Sequence, residues 1–340
     1  MRKMNYRAVV LTAKGDPDVL QVVDLPDRAP GAGEVRLRVR ATGVGGTDVT
    51  MRRGSYPFAP PLPFSPGYEV VGDVDAVGTG VTAVSVGQRV AALVVHGGYA
   101  ERIVVPASAL VPVADTLDDA EVAALVLNYV TAYQALHRVA QVAAGQTALV
   151  TGASGGVGTA MVELLRVSGV HVIAAASSHA HDALRALDAV TVDSRAPDLV
   201  ARVRTLAPRG VDASFDNLGG RFPGVCVEAT RRGGMVVGVG FSSATDAAGT
   251  PRRGAWLRGM AALFVKAPLL GRRGRFYGIT LRYRRDQGPF KQDLSTLLAL
   301  LGARTITPRI HARLPLLEAR RANEMLERGG VTGKIVLVNP

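Results

Sequence analysis

A single cysteine, Cys226, leaves the 340-residue chain with no intrachain disulfide and no zinc site built from several thiolates. Such sparing use suits a reducing cytoplasm, the compartment expected for this chain. No uninterrupted apolar stretch reaches the roughly 18 residues of a membrane span. The apolar run behind the basic N-terminus is also too short for a signal-peptide core. Glycine and proline stay well below the roughly 25–30% that marks low complexity. With 48% hydrophobic and 20% charged residues, the composition is that of a globular protein with a sizeable core.

Acidic residues are outnumbered, and the formal charge of +12 is unevenly placed. From Pro251 to Lys291 there are 11 lysines and arginines and one acid, Asp286, so +10 of the charge sits in one segment. A uniformly basic surface would suggest nucleic acid. One basic segment points to a local feature, and no nucleic-acid partner is expected.

The first 110 residues hold short Val-rich runs at 7–11, 21–24, 34–41, 68–77, 88–93 and 98–105, separated by turn clusters such as Lys14-Gly15-Asp16-Pro17. This spacing predicts a small barrel or sandwich. At Thr116-Leu117-Asp118-Asp119, a hydroxyl followed three residues later by a carboxylate predicts a helix start. Strands are then predicted at 147–151, 171–176, 190–193, 211–216 and 234–239. They alternate with helices at 157–168, 182–187, 198–206 and 222–229. Such alternation means a parallel sheet with helices on both faces. A helix over 314–328 and a strand over 334–338 close the chain. The fold class is α/β, with a β-rich domain (1–126 and 303–340) and a doubly wound parallel-sheet domain (127–302).

The sharpest motif is Leu149-Val150-Thr151-Gly152-Ala153-Ser154-Gly155-Gly156-Val157-Gly158, placed where a predicted strand gives way to a helix. Ala153, Gly155 and Gly158 take the three G-x-G-x-x-G positions. Small residues there let the chain bend, let backbone N–H groups approach a pyrophosphate, and let the helix pack on its strand. The same stretch also fits G-x-S-x-G, a hydrolase nucleophile elbow for which Asp216 and His311 could be nominated. That reading leaves Gly158 and the β-rich domain unexplained, and no full HGGG oxyanion loop is present. Ser154, Gly156 and Val157 complete the candidate dinucleotide turn. At the end of the second predicted strand stand Ser177, Ser178 and His179, with no carboxylate to repel a 2′-phosphate. NADPH is therefore favoured over NADH. The His179/His181 pair lacks a third ligand nearby and reads as loop surface.

Several further segments carry a family likeness. They are Glu34-Val35-Arg36-Leu37-Arg38-Val39-Arg40-Ala41-Thr42-Gly43-Val44, Pro66-Gly67-Tyr68-Glu69-Val70-Val71-Gly72, Val77-Gly78-Thr79-Gly80-Val81, Val86-Gly87-Gln88-Arg89-Val90, Gly97-Gly98-Tyr99-Ala100-Glu101, and Gly333-Lys334-Ile335-Val336-Leu337. With the glycine turn, their order resembles the medium-chain dehydrogenase/reductase superfamily, in its zinc-free quinone oxidoreductase and enoyl reductase branch. The resemblance spans essentially the whole chain. It implies a GroES-like catalytic domain around a Rossmann cofactor-binding domain, in a dimer. Zinc-dependent members read G-V-C-H-T-D and P-G-H-E where this chain has Gly43-Val44-Gly45-Gly46-Thr47-Asp48 and Pro66-Gly67-Tyr68-Glu69. Gly45 and Tyr68 thus replace a thiolate and an imidazole ligand, and no metal site is expected.

The resemblance further implies a substrate-facing Tyr56, in Arg53-Gly54-Ser55-Tyr56-Pro57, as proton donor, with Tyr68 lining the pocket. Asn128 and Thr131 would lie beside the nicotinamide. Asn217, Gly240 and Phe241 would supply backbone to the same half, and Lys334 would contact the cofactor. Without a Lewis acid, the accessible reaction is reduction of a conjugated carbonyl, a quinone, enone or enoyl acceptor. Gly45 stands where quinone reductases often carry Asn, and the usual NADPH-binding Lys and Tyr are replaced near Ala180 or His181 and at Ser194. The same scaffold repurposed for non-redox biosynthetic chemistry, or for a membrane-associated or regulatory role, is the alternative. The basic apolar stretch at about 250–275 reads either as a solvated surface packing on the core or a second subunit, or as a contact for an anionic membrane or acidic carrier protein. A strand is predicted over 276–281.

Overall fold

A computed structural model describes residues 5–240 and 253–339. The chain divides into two compact units. The first comprises Met1–Leu127, Tyr283–Gly329 and Lys334–Pro340, and the second Asn128–Arg282 and Gly330–Gly333.

In the first unit, β1 (Asn5–Leu11) and β2 (Leu20–Pro26) form an antiparallel hairpin. A seven-stranded sheet follows, built from β3 (Glu34–Val44), β4 (Glu69–Val77), β5 (Arg89–Leu93), β6 (Arg102–Pro106), β7 (Val111–Pro112), β14 (Ile310–Pro315) and β15 (Lys334–Val338). Its order is β14-β15-β3-β4-β5-β7, with β6 also paired to β3. Strand β3 shows how alternation sets the faces. Val35, Leu37 and Val39 are buried in a core with Val70, Val74 and Val90, while Arg36, Arg38 and Arg40 point outward. Those arginines meet carboxylates: Arg36 pairs with Asp27 at 2.8 Å and Asp75 at 2.7 Å, Arg38 with Asp73 at 2.8 Å, and Arg40 with Asp119 at 2.8 Å. The basic side chains of this sheet are thus matched locally. Helix α1 (Gly46–Arg52) follows β3, and α2 (Asp119–Ala124) follows β7.

The second unit opens with a π-helical stretch (Leu125–Tyr129 crosses the boundary), α3 (Val130–Tyr133) and another π-helical turn (Gln134–Ala140). Its sheet contains β8 (Thr147–Thr151), β9 (His171–Ala176), β10 (Val190–Asp193), β11 (Val211–Asp216), β12 (Thr230–Gly238) and β13 (Arg273–Phe276). All pairs are parallel, in the order β10-β9-β8-β11-β12-β13. The central strands β8, β9 and β11 lie nearly buried along their length, as expected of a sheet covered on both faces. The connecting helices are α4 (Gly156–Val167), α5 (His181–Arg185), α6 (Leu199–Leu206) and α7 (Phe222–Ala229). Helices α8 (Arg253–Ala261) and α9 (Ala267–Leu269) flank a π-helical turn, Ala262–Lys266. The order reverses direction at β8 and β11, and ligands of such sheets bind outside the carboxyl ends of the strands at that point.

Several elements differ from expectation. The cap of α2 is Asp118, whose carboxylate accepts from the Glu121 N–H at 3.0 Å, not Thr116. Residues 314–328 are not one helix. Period-2 alternation through Ala312 and Leu314 makes β14, Pro315 ends it, and α12 runs over Ala319–Arg328. The strand predicted at 276–281 lies earlier, as β13, because Gly274 lets it approach Leu263: a Cβ there would sit 1.8 Å from the Leu263 carbonyl oxygen. Helix α10 (Ile279–Arg285) occupies the predicted strand's place. Residues 283–302 group with the first unit, where α11 (Gly288–Gly302) buries Phe290, Leu294, Leu297 and Leu301. Residues 330–333 group with the second. The apolar stretch after residue 253 is helical. Leu263 and Ala267 join the core of the second unit, while Leu257, Phe264, Val265 and Leu269 are exposed.

Candidate functional site

In the second unit, the glycine turn joins β8 to α4. Gly152 has φ +64°, and Gly155 caps the helix with extended backbone. The N–H groups of the first turn of α4 have no intrahelical acceptor and carry the positive end of the helix dipole. Close approach dictates the glycines. A Cβ on Gly158 would lie 2.2 Å from the Gly152 carbonyl oxygen, and one on Gly156 would lie 2.1 Å from Nδ2 of Asn128. Ala153 is fully buried beneath the turn. The Ser154 carbonyl accepts from the Gly333 N–H at 2.9 Å, which docks Gly330–Gly333 onto the turn. Val157 is half-buried, and Gly155 is exposed. The Thr131 hydroxyl is buried and has no hydrogen-bond partner among the described residues, an orphaned donor on the helix that also carries Asn128. Small residues, a helix N-terminus and an unpartnered hydroxyl fit a dinucleotide, its pyrophosphate at the turn.

The neighbouring strand ends are tied together by Asp216. Its buried carboxylate accepts from Thr151 Oγ1 at 2.6 Å and from the N–H groups of Leu218 at 3.1 Å and Gly219 at 2.8 Å. Burial nevertheless holds its pKa above the ordinary value, against the lowering effect of those donors. Asn217 donates to the Thr151 carbonyl at 3.0 Å. A Cβ on Gly240 would lie 2.2 Å from the Asn217 carbonyl oxygen, so this approach also requires glycine. Phe241 lies outside the described residues. Past β9, Ser177 is half-buried and Ser178 and His179 are exposed, and Ser178–Ala180 forms a short turn with no acidic side chain.

The first unit holds the other predicted residues. The hydroxyls of Tyr56 and Tyr68 are 2.6 Å apart, and their rings meet edge to face. Tyr68 is buried and Tyr56 half-buried. Beside them, Asp48 in α1 accepts from the N–H groups of Gly45 at 2.9 Å and Gly67 at 3.1 Å, pinning the two segments that carry Gly45 and Tyr68. Its pKa is pushed up to about 6 by burial first and the Glu69 charge second. The Lys334 ammonium is buried and pairs with Glu69 at 2.7 Å. Gly43 makes room for this pair, since a Cβ there would lie 2.0 Å from both Glu69 Oε1 and Lys334 Cε. Sequence reasoning did not find Gly43, Asp48 or Gly333 as parts of these arrangements. Among the described residues, no group of three or more His, Cys, Asp or Glu side chains is placed to hold a metal ion.

A doubly wound dinucleotide-type sheet with a GroES-like β unit defines a nicotinamide-type oxidoreductase architecture. The chain belongs to the medium-chain dehydrogenase/reductase superfamily, in its quinone oxidoreductase-like branch. Residues 31–115 match the alcohol dehydrogenase GroES-like domain, and residues 184–337 match the zinc-binding dehydrogenase family. The synaptic vesicle membrane protein VAT-1 homolog of Rattus norvegicus is 34% identical over 98% of this chain and 84% of its own length. The quinone oxidoreductase of Rattus norvegicus is 30% identical over 98% of this chain and 97% of its own. A mycobacterial structure complexed with NADPH superposes with a TM-score of 0.84 at 31% identity, covering 98% of this chain and 99% of that one. Among the described residues, no helix is long and apolar enough to cross a membrane.

Proposed function

We propose that this protein reduces a conjugated carbonyl, a quinone, enone or enoyl acceptor, using NADPH and no metal ion. The observation that carries this reading is the Tyr56–Tyr68 hydroxyl pair, with Tyr68 standing where the family resemblance puts an imidazole ligand in zinc-dependent relatives. When bound, NADPH supplies the hydride. The glycine turn, Asn128 and Thr131 would hold the dinucleotide, and the hydroxyls of half-buried Ser177 and exposed Ser178 would accommodate a 2′-phosphate where a carboxylate would repel it. The mycobacterial relative with NADPH supports that preference. Charge developing on the acceptor oxygen needs a hydrogen-bond donor and a proton. Tyr56 supplies both, and Tyr68 fixes the direction of its hydroxyl.

The test is NADPH consumption, with NADH alongside, across quinones, linear enones and cyclic enones, before and after dialysis against a chelator. Saturable turnover that survives chelation and prefers NADPH supports the reading. Turnover that disappears with the chelator and returns with zinc overturns the metal-free part. NADPH binding without any reducible acceptor overturns the reaction.

A second role, contact with an anionic membrane, is favoured by exposed Leu257, Phe264, Val265 and Leu269 beside exposed Arg258. Co-sedimentation with phosphatidylserine vesicles that Phe264→Glu abolishes would support it.

A further inference from the structure

We propose that the acceptor carries an anionic group, a carboxylate, sulfonate or phosphate, which Arg284 binds beside the Tyr56–Tyr68 pair. This rests on the reductase reading and names its substrate class. Three observations in the first unit carry it.

Phe58 stands edge-on to Tyr56, with ring centres 5.7 Å apart, and the Arg284 guanidinium lies 4.8 Å from the centre of the same Phe58 ring. The cation and the Tyr56 ring therefore both pack on the same Phe58 ring. Second, Arg284 is exposed and has no acidic partner among the described residues, although the arginines of β3 are matched to aspartates. An aromatic face holds its position, which leaves the N–H fork free for a planar anion.

Third, the loop that joins this cluster to β5 is strained. Val95 has φ +70°, a left-handed conformation that a β-branched side chain adopts only under constraint. The constraint is visible: the N–H groups of Val94 and Val95 both donate to the Tyr68 carbonyl, at 2.9 and 3.0 Å. That loop presents His96, whose ring lies edge-on to Phe64. Desolvation, and then the Arg284 charge, keep the His96 pKa below its ordinary value. The shift favours the neutral imidazole, and Arg284 is the cation of this pair that an anion would meet.

The experiment compares matched acceptors. The pairs are 1,4-naphthoquinone with its 2-sulfonate, and 4-phenyl-3-buten-2-one with its ring carboxylate and ring phosphate. Wild type, Arg284→Ala and Arg285→Ala are assayed, and melting curves check that each is folded. The expected result is a KM about 10-fold lower for the anionic member, a ratio lost in Arg284→Ala and kept in Arg285→Ala. The carboxylate and phosphate arms show which anion is preferred. An unchanged ratio in Arg284→Ala, an equal loss in Arg285→Ala, or a rise in the NADPH KM alone would overturn the proposal. If no acceptor of either kind turns over, the reductase reading has failed, and calorimetric titration of the same pairs decides the anion site. Binding of the anionic member alone, lost in Arg284→Ala, supports it; no difference between members overturns it.

Discussion

The glycine turn of the second unit and the tyrosine cluster of the first are built in opposite ways. The turn is shaped by its backbone. Gly152, Gly156 and Gly158 matter for what they leave out, and the N–H groups of α4 supply the field. The cluster is made of side chains drawn from distant segments: Tyr56, Phe58, Tyr68, His96 and Arg284. A backbone site tolerates little change in size and much change in chemistry. A side-chain site is the reverse. Substitutions should therefore affect binding in the turn and turnover in the cluster.

The largest effect is expected from Gly158→Val. Its Cβ would meet the Gly152 carbonyl oxygen at 2.2 Å, so the turn must open. NADPH affinity measured by nicotinamide fluorescence should fall about 1,000-fold, the equivalent of about 4 kcal/mol. Retained affinity would mean that the turn does not hold the cofactor. Next comes Tyr56→Phe. Acceptor turnover should drop about 100-fold, the scale of a lost general acid, while NADPH affinity changes less than about 2-fold. Equal losses in both would reduce Tyr56 to a packing residue. A smaller effect is expected of Ser178→Asp, which puts a carboxylate past β9. The ratio of NADPH to NADH efficiency should fall about 10-fold, and an unchanged ratio would place the 2′-phosphate elsewhere.

The smallest expected effect is a slope. The Asp48 carboxyl is pushed up from its ordinary value to about 6, so the folded chain binds its proton more tightly than the unfolded chain does. Folding stability from this group is greatest at low pH and declines as pH rises from about 4 to about 6. Asp48→Asn should flatten that decline in urea midpoints taken from pH 4 to pH 7, whatever constant offset its altered hydrogen bonds impose. Parallel curves would show that Asp48 does not titrate in this window.

The turn was legible because its residues are contiguous and its constraint, small size at fixed spacing, is written in residue types. The parallel sheet was legible for a similar reason, from apolar runs divided by helical periods. The start of α2 was not. Thr116 with Asp119 and Asp118 with Glu121 offer the same spacing, and Asp118 is the one that also holds Arg313, at 2.7 Å, a contact with a distant strand. The docking of Gly333 on Ser154 and the pairing of Lys334 with Glu69 join segments that no local pattern connects. Arg284 was counted in a basic run, where nothing in the sequence separates it from Arg285. The Phe58 ring beneath it does.

Deuteride transfer tests the central claim most directly. The protein is incubated with NADPH deuterated at the transferable C4 position and a linear enone, and the product is analysed by NMR. The account predicts one deuterium, at the β-carbon of a saturated ketone. Deuterium at the carbonyl carbon of an allylic alcohol, or none in the product, would contradict it.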